Sequence, residues 1–161
     1  MKVFSITGWS GSGKTTLITQ LIKHFKSKNK KVVAVKYAPH KYYLEPETTD
    51  TFKFLTAGCD ETCLVAKNEL LTMKLLDNNA DIFKILETRY ADCDVLLLEG
   101  LHREGIPLIE VVDSTKQETL KYPGKTLSAV VSDKPVTNAV PCFNNNDIEG
   151  IVNFIEEVCN G

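Results

Sequence analysis

A glycine-rich stretch near the start of the chain has the residue types and the spacing of a phosphate-binding loop. Residues 8–15 read GWSGSGKT, which matches the pattern G-x4-G-K-[ST], and they lie between an apolar run at 3–6 and a helical pattern from residue 16. Glycines let the backbone bend so that successive N–H groups face an anion, and the following helix adds the positive end of its dipole. The predicted phosphate contacts are Gly8, Ser10, Gly11, Ser12, Gly13, Lys14, Thr15 and Thr16.

Two residues of this loop and one residue of a later strand are the candidates for chemistry. Lys14 is expected to reach the β- and γ-phosphates, and the Thr15 hydroxyl is expected to bind Mg²⁺. Glu99 ends an apolar run, and the carboxyl ends of parallel strands meet at one edge of a sheet, so its carboxylate is expected near the metal ion or a polarised water. Asp94 begins the same run and is expected about 16 Å away at the opposite edge. We therefore predict Lys14 and Glu99 as catalytic residues, and Thr15 and Glu99 as metal-binding residues.

Base recognition is expected at the same edge of the sheet, after a later strand. Asp133 lies in the turn 132–135, directly after an apolar strand pattern. An aspartate there is suited to accept hydrogen bonds from both N1–H and the exocyclic amine of guanine, and adenine has no such pair of donors. A turn that contains Ser, Asp and Pro needs no ligand to explain it. Guanine recognition by Asp133 and a plain turn are therefore both open at this stage.

The rest of the chain supplies the elements that must hold these residues in place. Apolar and β-branched runs predict strands at 3–6, 31–37, 61–66, 69–75, 94–100, 107–113 and 126–131. Helical periodicity predicts helices at 16–29, at 51–57 after an Asp50 cap, at 81–90, and from an Asp147 cap to residue 158. The 94–100 run is almost entirely apolar, which is typical of a central strand in a parallel sheet. The alternation of helices and buried strands predicts an α/β protein with the three-layer P-loop NTPase fold and a mostly parallel central sheet.

Length and composition limit the class of protein. A chain of 161 residues is long enough for one self-sufficient core, so a single nucleotide-binding domain over 1–161 is expected. A formal net charge of -2 argues against a nucleic-acid partner, and no apolar run approaches the roughly 20 residues of a membrane span. The five cysteines form no Cys-x-x-Cys pair, and the apolar start of the chain is too short for a signal peptide. We therefore expect a cytoplasmic protein with reduced thiols and no membrane partner.

Four segments together resemble the molybdopterin-guanine dinucleotide biosynthesis protein B family, MobB. They are the phosphate loop, the segment 36–50, residues 97–100 and residues 131–135, and the resemblance covers nearly the whole chain. The chain departs from the family pattern at Tyr37, where a histidine is usual, and at Thr48 and Thr49, where Gly-Lys is usual. These departures speak against a role of the 37–50 loop that needs several histidines. The residues of this part that fit the family outline are Lys36, His40, Glu45, Asp50, Ala57 and Gly58.

The resemblance implies a GTP-binding accessory protein of molybdenum cofactor biosynthesis with weak Mg²⁺-dependent GTPase activity. Its implied partner is the MobA-like molybdopterin guanylyltransferase, with molybdopterin itself as a further candidate ligand, and its implied assembly is a homodimer. Slow hydrolysis agrees with the presence of only two arginines, because an arginine finger is worth about 10³ to 10⁵ in rate. Arg103 lies just beyond Glu99, and contacts to nucleotide phosphate, to the anionic pterin phosphate or to a partner are open for it.

Two alternatives come from other classes of P-loop protein. A small-molecule or nucleoside kinase suits the size and the loop, but such kinases close over the phosphoryl group with a lid that carries several basic residues. The sequence shows no arginine-bearing segment of that kind. A deviant-loop ATPase that shares a signature lysine across a dimer is disfavoured because Trp9 follows Gly8.

Overall fold

The computed structural model describes residues 1–38, 48–116, 119–122, 126–136 and 140–159. In the described chain the strands are β1 (Lys2–Thr7), β2 (Val32–Lys36), β3 (Thr62–Ala66), β4 (Glu69–Met73), β5 (Val95–Glu99), β6 (Leu108–Val112), β7 (Ala129–Ser132) and β8 (Cys142–Phe143). The helices are α1 (Lys14–Ser27), α2 (Asp50–Thr56), α3 (Ile82–Arg89) and α4 (Ile148–Val158). The chain divides into two compact units, residues 1–37 with 87–161 and residues 38–86. That both belong to one domain over 1–161 stays a prediction.

The first unit is built on a six-stranded sheet with the order β2-β5-β1-β6-β7-β8. Every pair of neighbours in this sheet is parallel, which confirms the predicted mostly parallel α/β fold. β1 lies at the middle of the order, and β5 is its neighbour on one side. The first four residues of β5 are buried, as its apolar sequence predicted for an interior strand.

Alternation of side chains along the strands divides the core between the two faces of this sheet. Ile109 and Val111 of β6 pack in one cluster with the buried faces of α1 and α4, to which Leu21 and Ile155 belong. Leu108 and Val112 point the other way, into a second cluster with Leu127 and Val130. Because successive strand residues face opposite sides, a strand buried on both faces is apolar at most of its positions.

The second unit consists of α2, the β3–β4 hairpin and the first part of α3. The hairpin is antiparallel, with Leu64 opposite Leu71, and its two strands are the ones predicted at 61–66 and 69–75. Several of its large apolar side chains are exposed, Val65 and Leu70 by 75% and 68%. No described helix has the length and apolar content that a membrane span requires.

One detail of the predicted elements was wrong, and one strand was not predicted. The cap of α2 is Thr49 and not Asp50, because the Thr49 hydroxyl accepts a hydrogen bond from the Phe52 N–H at 3.4 Å while Asp50 is already helical. β8 was not predicted at all, since a strand of two residues has no period for a sequence pattern to reveal. The predicted Asp147 cap of α4 is confirmed, with its carboxylate accepting from the Gly150 N–H at 3.0 Å.

Candidate phosphate-binding site

The glycine-rich loop joins the end of β1 to the start of α1, as its sequence setting predicted. Gly8 has φ +139°, and a Cβ there would lie 2.3 Å from the Val111 carbonyl oxygen, so the chain needs a residue without a side chain at this point. Gly13 has φ +99° and is the residue that caps α1, directly before Lys14. The loop therefore passes closely over the end of β6 and delivers the chain into the helix with its first N–H groups at the carboxyl edge of the sheet.

The Lys14 side chain folds back over the start of the loop. Its ammonium donates to the carbonyl oxygens of Gly8 and Trp9 at 3.1 and 2.7 Å. Burial lowers the pKa of Lys14, the Glu99 carboxylate opposes this shift, and the nearby charges of Lys121 and Lys36 add to it. The Lys14 ammonium is thus held beside the loop by carbonyl groups of the loop itself.

Glu99 and Thr15, the two predicted metal-binding residues, lie side by side. The Thr15 hydroxyl donates to Glu99 Oε2 at 3.3 Å, and the Lys36 ammonium is 3.3 Å from Glu99 Oε1. Strand register explains this meeting, because Glu99 is opposite Ile6 in β1 and opposite Lys36 in β2. The Glu99 side chain is only 13% exposed, so its carboxylate is directed into the site.

This pair of oxygen ligands suits Mg²⁺ with a bound nucleotide. Mg²⁺ is commonly held by one or two protein oxygens together with phosphate oxygens and water. Across the described ranges, no group of three or more His, Cys, Asp or Glu side chains could hold a metal ion without such help. Asp94, at the other end of β5, accepts from the Lys31 N–H at 2.7 Å, in agreement with its predicted place at the opposite edge.

The other predicted phosphate contacts differ in exposure. Ser10 is exposed on the loop, whereas Ser12 is buried and its hydroxyl has no hydrogen-bond partner among the described residues. Ser12 and Thr16 line a cavity of about 140 Å³, together with Asn145, whose buried side-chain oxygen is also without a partner in the described part of the chain. This cavity therefore presents unsatisfied polar groups beside the first turn of α1.

The sequence analysis missed an acid–base pair at the end of β6. Asp113 follows this strand, and its carboxylate is 2.7 Å from the Lys116 ammonium, which also lies 3.5 Å from the Gly11 carbonyl oxygen. Hydrogen bonds from Lys116 and then from Thr115 lower the pKa of Asp113 to about 2. The available signal was the same as for Glu99, an acidic residue at the carboxyl end of an apolar strand.

Asp133 lies at the predicted edge but is engaged within the chain. Its two carboxylate oxygens accept from the backbone N–H and the hydroxyl of Ser114, both at 3.0 Å. These bonds, the backbone bond first, lower the pKa of Asp133. Each carboxylate oxygen still has a second lone pair, and Asp133 lines a cavity of about 150 Å³ with Lys134 and Asn144. Asp133 thus joins the end of β7 to the segment after β6 and keeps capacity for a further ligand.

Arg103 is not at the phosphate edge, contrary to the route considered from the sequence. Its guanidinium is paired with Glu87 at 3.0 Å, and it lines a cavity of about 480 Å³ with Met1, Lys2 and Cys159. Lys2 begins β1, so this cavity lies at the amino end of the strand, opposite the phosphate loop. His40 and Glu45 fall outside the described residues.

These features define the class of the protein. A parallel sheet with β1 at its middle, a glycine loop that leads into α1, and an acidic residue at the end of the neighbouring strand constitute the P-loop NTPase type of fold.

Within this class the chain belongs to the MobB family. The family model described as Molybdopterin guanine dinucleotide synthesis protein B matches residues 3–133, from β1 through Asp133. Two similar curated proteins are each named a molybdopterin-guanine dinucleotide biosynthesis adapter protein. The one from Haemophilus influenzae is 28% identical over 96% of this chain and 87% of its own length. The one from Escherichia coli is 25% identical over 96% of this chain and 91% of its own length.

Solved structures show the same fold. A crystal structure of molybdopterin-guanine biosynthesis protein B superposes with a TM-score of 0.72 at 24% identity, covering 97% of this chain and 99% of the other. The structure of Bacillus subtilis MobB superposes with a TM-score of 0.70 at 20% identity, covering 96% and 98%. At these identities the likeness shows the arrangement of the chain and not its ligands.

Proposed function

We propose that this protein is a GTP-binding accessory protein of molybdopterin-guanine dinucleotide biosynthesis, with weak Mg²⁺-dependent GTPase activity. In this proposal it acts in the cytoplasm and assists a MobA-like guanylyltransferase that joins GMP to molybdopterin. The observation that carries the proposal is the family match over residues 3–133, which includes a phosphate loop with its glycine conformations and its lysine intact. The adapter names of the two curated relatives support an assisting role in the same pathway.

The phosphate end of the site has the groups that this function requires. The loop N–H groups and the Lys14 ammonium would hold the β- and γ-phosphates, and the Thr15 hydroxyl and the Glu99 carboxylate would hold Mg²⁺. Mg²⁺ held there would supply positive charge to the phosphates. Glu99 also orients Lys36, since the two side chains form an ion pair at 3.3 Å.

Slow hydrolysis is consistent with the cations at this edge. Arg103 is committed to Glu87 at the amino end of β1. Lys36 and Lys116 are each paired with a carboxylate, which offsets part of their charge. A site without an arginine finger lacks a contribution of about 10³ to 10⁵ in rate.

Guanine selection by Asp133 is the part of the proposal that depends on a single side chain. Asp133 would keep its bonds to Ser114 and use its remaining lone pairs for the two N–H donors of guanine. This arrangement has a physical advantage, because a carboxylate already fixed by two hydrogen bonds loses little conformational entropy when a base binds.

We also propose that the protein is a homodimer, as the family resemblance implies. The exposed apolar side chains of the β3–β4 hairpin support an association surface in the second unit. Sedimentation of the wild-type protein and of a Val65→Lys, Leu70→Lys double variant would test this. A dimer that is lost in the double variant supports the hairpin surface, and a wild-type monomer at micromolar concentration contradicts the homodimer.

The function is tested first by calorimetric titration with GTP and ATP, each with and without Mg²⁺. We expect Mg²⁺-dependent binding and a preference of about tenfold or more for GTP, equal to at least about 1.4 kcal/mol. Equal affinities would overturn guanine selection, and transfer of phosphate from ATP to an alcohol at about 1 to 100 per second would favour a kinase instead.

A further inference from the structure

A buried carboxylate lies in the sheet beside the phosphate loop without a part in the site described so far. Glu110 of β6 is 0% exposed, and it is opposite Thr7 of β1 and Val130 of β7. A buried carboxylate is costly unless hydrogen bonds replace its water. Glu110 obtains them from two consecutive backbone groups, since Oε1 accepts from the Lys121 N–H at 2.5 Å and Oε2 accepts from the Tyr122 N–H at 3.1 Å. These two hydrogen bonds therefore fix a short piece of chain against the sheet.

The residues on both sides of Lys121 hold the same piece of chain by packing. Leu120 and Tyr122 are partly buried against the cluster formed by Leu108, Val112, Leu127 and Val130. The Tyr122 ring also makes an edge contact with His102, with 5.8 Å between ring centroids. Between these two inward-facing residues, Lys121 is exposed. Its backbone is thus fixed while its side chain is exposed.

The anchored segment places the Lys121 charge at the phosphate loop. Glu110 is the register partner of Thr7, the residue that directly precedes Gly8. The Lys121 ammonium lies 5.8 Å from the centre of the Tyr122 ring. Because the Lys121 N–H bonds to the Glu110 carboxylate, the backbone of Lys121 is held beside the strand end that leads into the loop. Lys36 and Lys116 each have a carboxylate partner, whereas none of the described residues supplies one to Lys121.

We propose that Glu110 is a positioning residue that holds Lys121 as a cation for the terminal phosphate of a bound nucleoside triphosphate. This inference rests on the proposed function, because it assumes that the loop binds nucleotide phosphates. Lysine binds phosphate as a point charge, so its contribution depends on where its backbone is held. Glu110 fixes the position of the Lys121 backbone. Lys121 then contributes, within the same chain, part of the positive charge that an arginine finger from a partner protein would provide.

The proposal predicts that loss of the Lys121 charge weakens binding of triphosphates but not of diphosphates. We would titrate wild type and Lys121→Gln with GTP against GDP, ATP against ADP, and inorganic tripolyphosphate against pyrophosphate, all with Mg²⁺. Lys121→Gln should reduce the triphosphate preference by about tenfold in each pair and leave the diphosphate affinities nearly unchanged. Lys121→Arg should retain the preference, and Lys26→Gln, an exposed lysine near the end of α1, is the matched control. An unchanged preference in Lys121→Gln overturns the proposal.

The role of Glu110 is tested by its coupling to Lys121. Glu110→Gln keeps the shape of the side chain but replaces one acceptor by a donor, so the N–H groups of Lys121 and Tyr122 lose their shared anchor. If circular dichroism shows a folded protein, we expect the same loss of triphosphate preference, and no further loss in the double variant with Lys121→Gln. Additive losses would contradict the coupling. If Glu110→Gln does not fold, the Lys121 variants still decide whether the cation serves the third phosphate.

The titrations also separate this inference from the proposed function. Equal binding of GTP and ATP, with a triphosphate preference that Lys121→Gln removes, would overturn guanine selection and keep the Lys121 assignment. Selective binding of GTP over ATP, with a triphosphate preference that Lys121→Gln leaves unchanged, would keep guanine selection and overturn the Lys121 assignment. A wild-type protein with no preference for the longer phosphate in any pair would overturn the inference outright.

Discussion

The two ends of the proposed nucleotide site are built in different ways. At the phosphate end, glycine conformations shape the backbone, and side chains from paired strands meet because of their register, as Glu99 does with Lys36. At the base end, Asp133 and Asn145 come from turns after β7 and β8, on the outer side of the sheet. Asp133 is already bonded to Ser114, whereas the Asn145 side-chain oxygen has no partner in the described chain.

The backbone of the phosphate end is fixed by the fold itself, whereas the polar groups of the base end are available to a ligand. The phosphate end depends on close backbone approaches that no other residue type would allow, as at Gly8. The cavity of about 150 Å³ beside Asp133 has its carboxylate bonded within the chain, whereas the cavity of about 140 Å³ that Asn145 shares with Ser12 and Thr16 has side-chain oxygens without a partner in the described chain. Phosphate binding should therefore tolerate substitutions in the turns after β7 and β8. Base selection should depend on single side chains in those turns.

The largest expected effect is that of Lys14→Ala on binding of any nucleotide. Loss of a charge-assisted phosphate contact should weaken GTP and GDP by about 2 to 3 kcal/mol, or roughly 30- to 150-fold. Calorimetry on both nucleotides measures this, with Lys23→Ala on the same helix as the control. Binding that survives within about threefold would show that the loop backbone alone holds the phosphates.

The second effect is that of Glu99→Gln, which should change only the Mg²⁺-dependent part of GTP binding. Glu99→Gln should reduce the Mg²⁺-dependent gain in GTP affinity by about tenfold and leave binding without Mg²⁺ nearly constant, because the amide is a poorer ligand for a hard cation. Asp94→Asn is the matched control, since Asp94 flanks the opposite end of the same strand and bonds to the Lys31 N–H. A loss of affinity without Mg²⁺ would instead indicate that Glu99 acts through Lys36.

The phosphate end could be predicted from sequence because its signals are local. A loop motif between an apolar run and a helical pattern specified the backbone path, and the rule that parallel strands end at one edge brought Glu99 to Thr15. Asp113 obeys the same rule as Glu99 and could have been selected by it, but no local pattern predicted its pairing with Lys116.

Other parts of the site depend on contacts that no local pattern reveals. Glu110 looks like an interruption in an apolar strand until its partners at 121 and 122 are known, and those are 11 and 12 residues away. Arg103 follows Glu99 by only four residues, yet the chain returns to the amino end of β1 and pairs it with Glu87. In both cases the separation of two residues along the sequence did not indicate whether they are in contact, because the path of the loop between them decides this.

Base selection offers a smaller effect with a sharp internal control. Asp133→Ala should reduce a preference for GTP over ATP by about tenfold and leave Mg²⁺ dependence unchanged. Ser114→Ala removes the hydroxyl that bonds to Asp133 Oδ2 but leaves the carboxylate and the backbone bond in place. Guanine preference that persists in Ser114→Ala and disappears in Asp133→Ala would assign the base to the carboxylate. If the guanine preference persists in both variants, Asp133 only connects two segments of the chain, and Asn145 becomes the candidate for base recognition.

The smallest effect is a pH dependence at the point where the two ends meet. Asp113 follows β6, bonds to Lys116 beside Gly11, and precedes the Ser114 that holds Asp133. Its pKa is lowered from an ordinary 3.8 to about 2 in the folded protein, chiefly by the Lys116 bond, so its carboxylate binds protons less readily when folded than when unfolded. The stability it contributes is therefore present above about pH 4 and is lost as the pH falls toward about 2.

Urea unfolding of wild type and Asp113→Asn between pH 7 and pH 2.5 would measure this dependence. The variant should be less stable at pH 7, and the difference should shrink below about pH 4, while an exposed control, Asp60→Asn, should show no such trend. A gap that stays constant over this range would mean that Asp113 acts through geometry and not through its charge. In that case the segment after β6 would be held mainly by Asp133, and the base end would depend less on the phosphate end than their shared loop suggests.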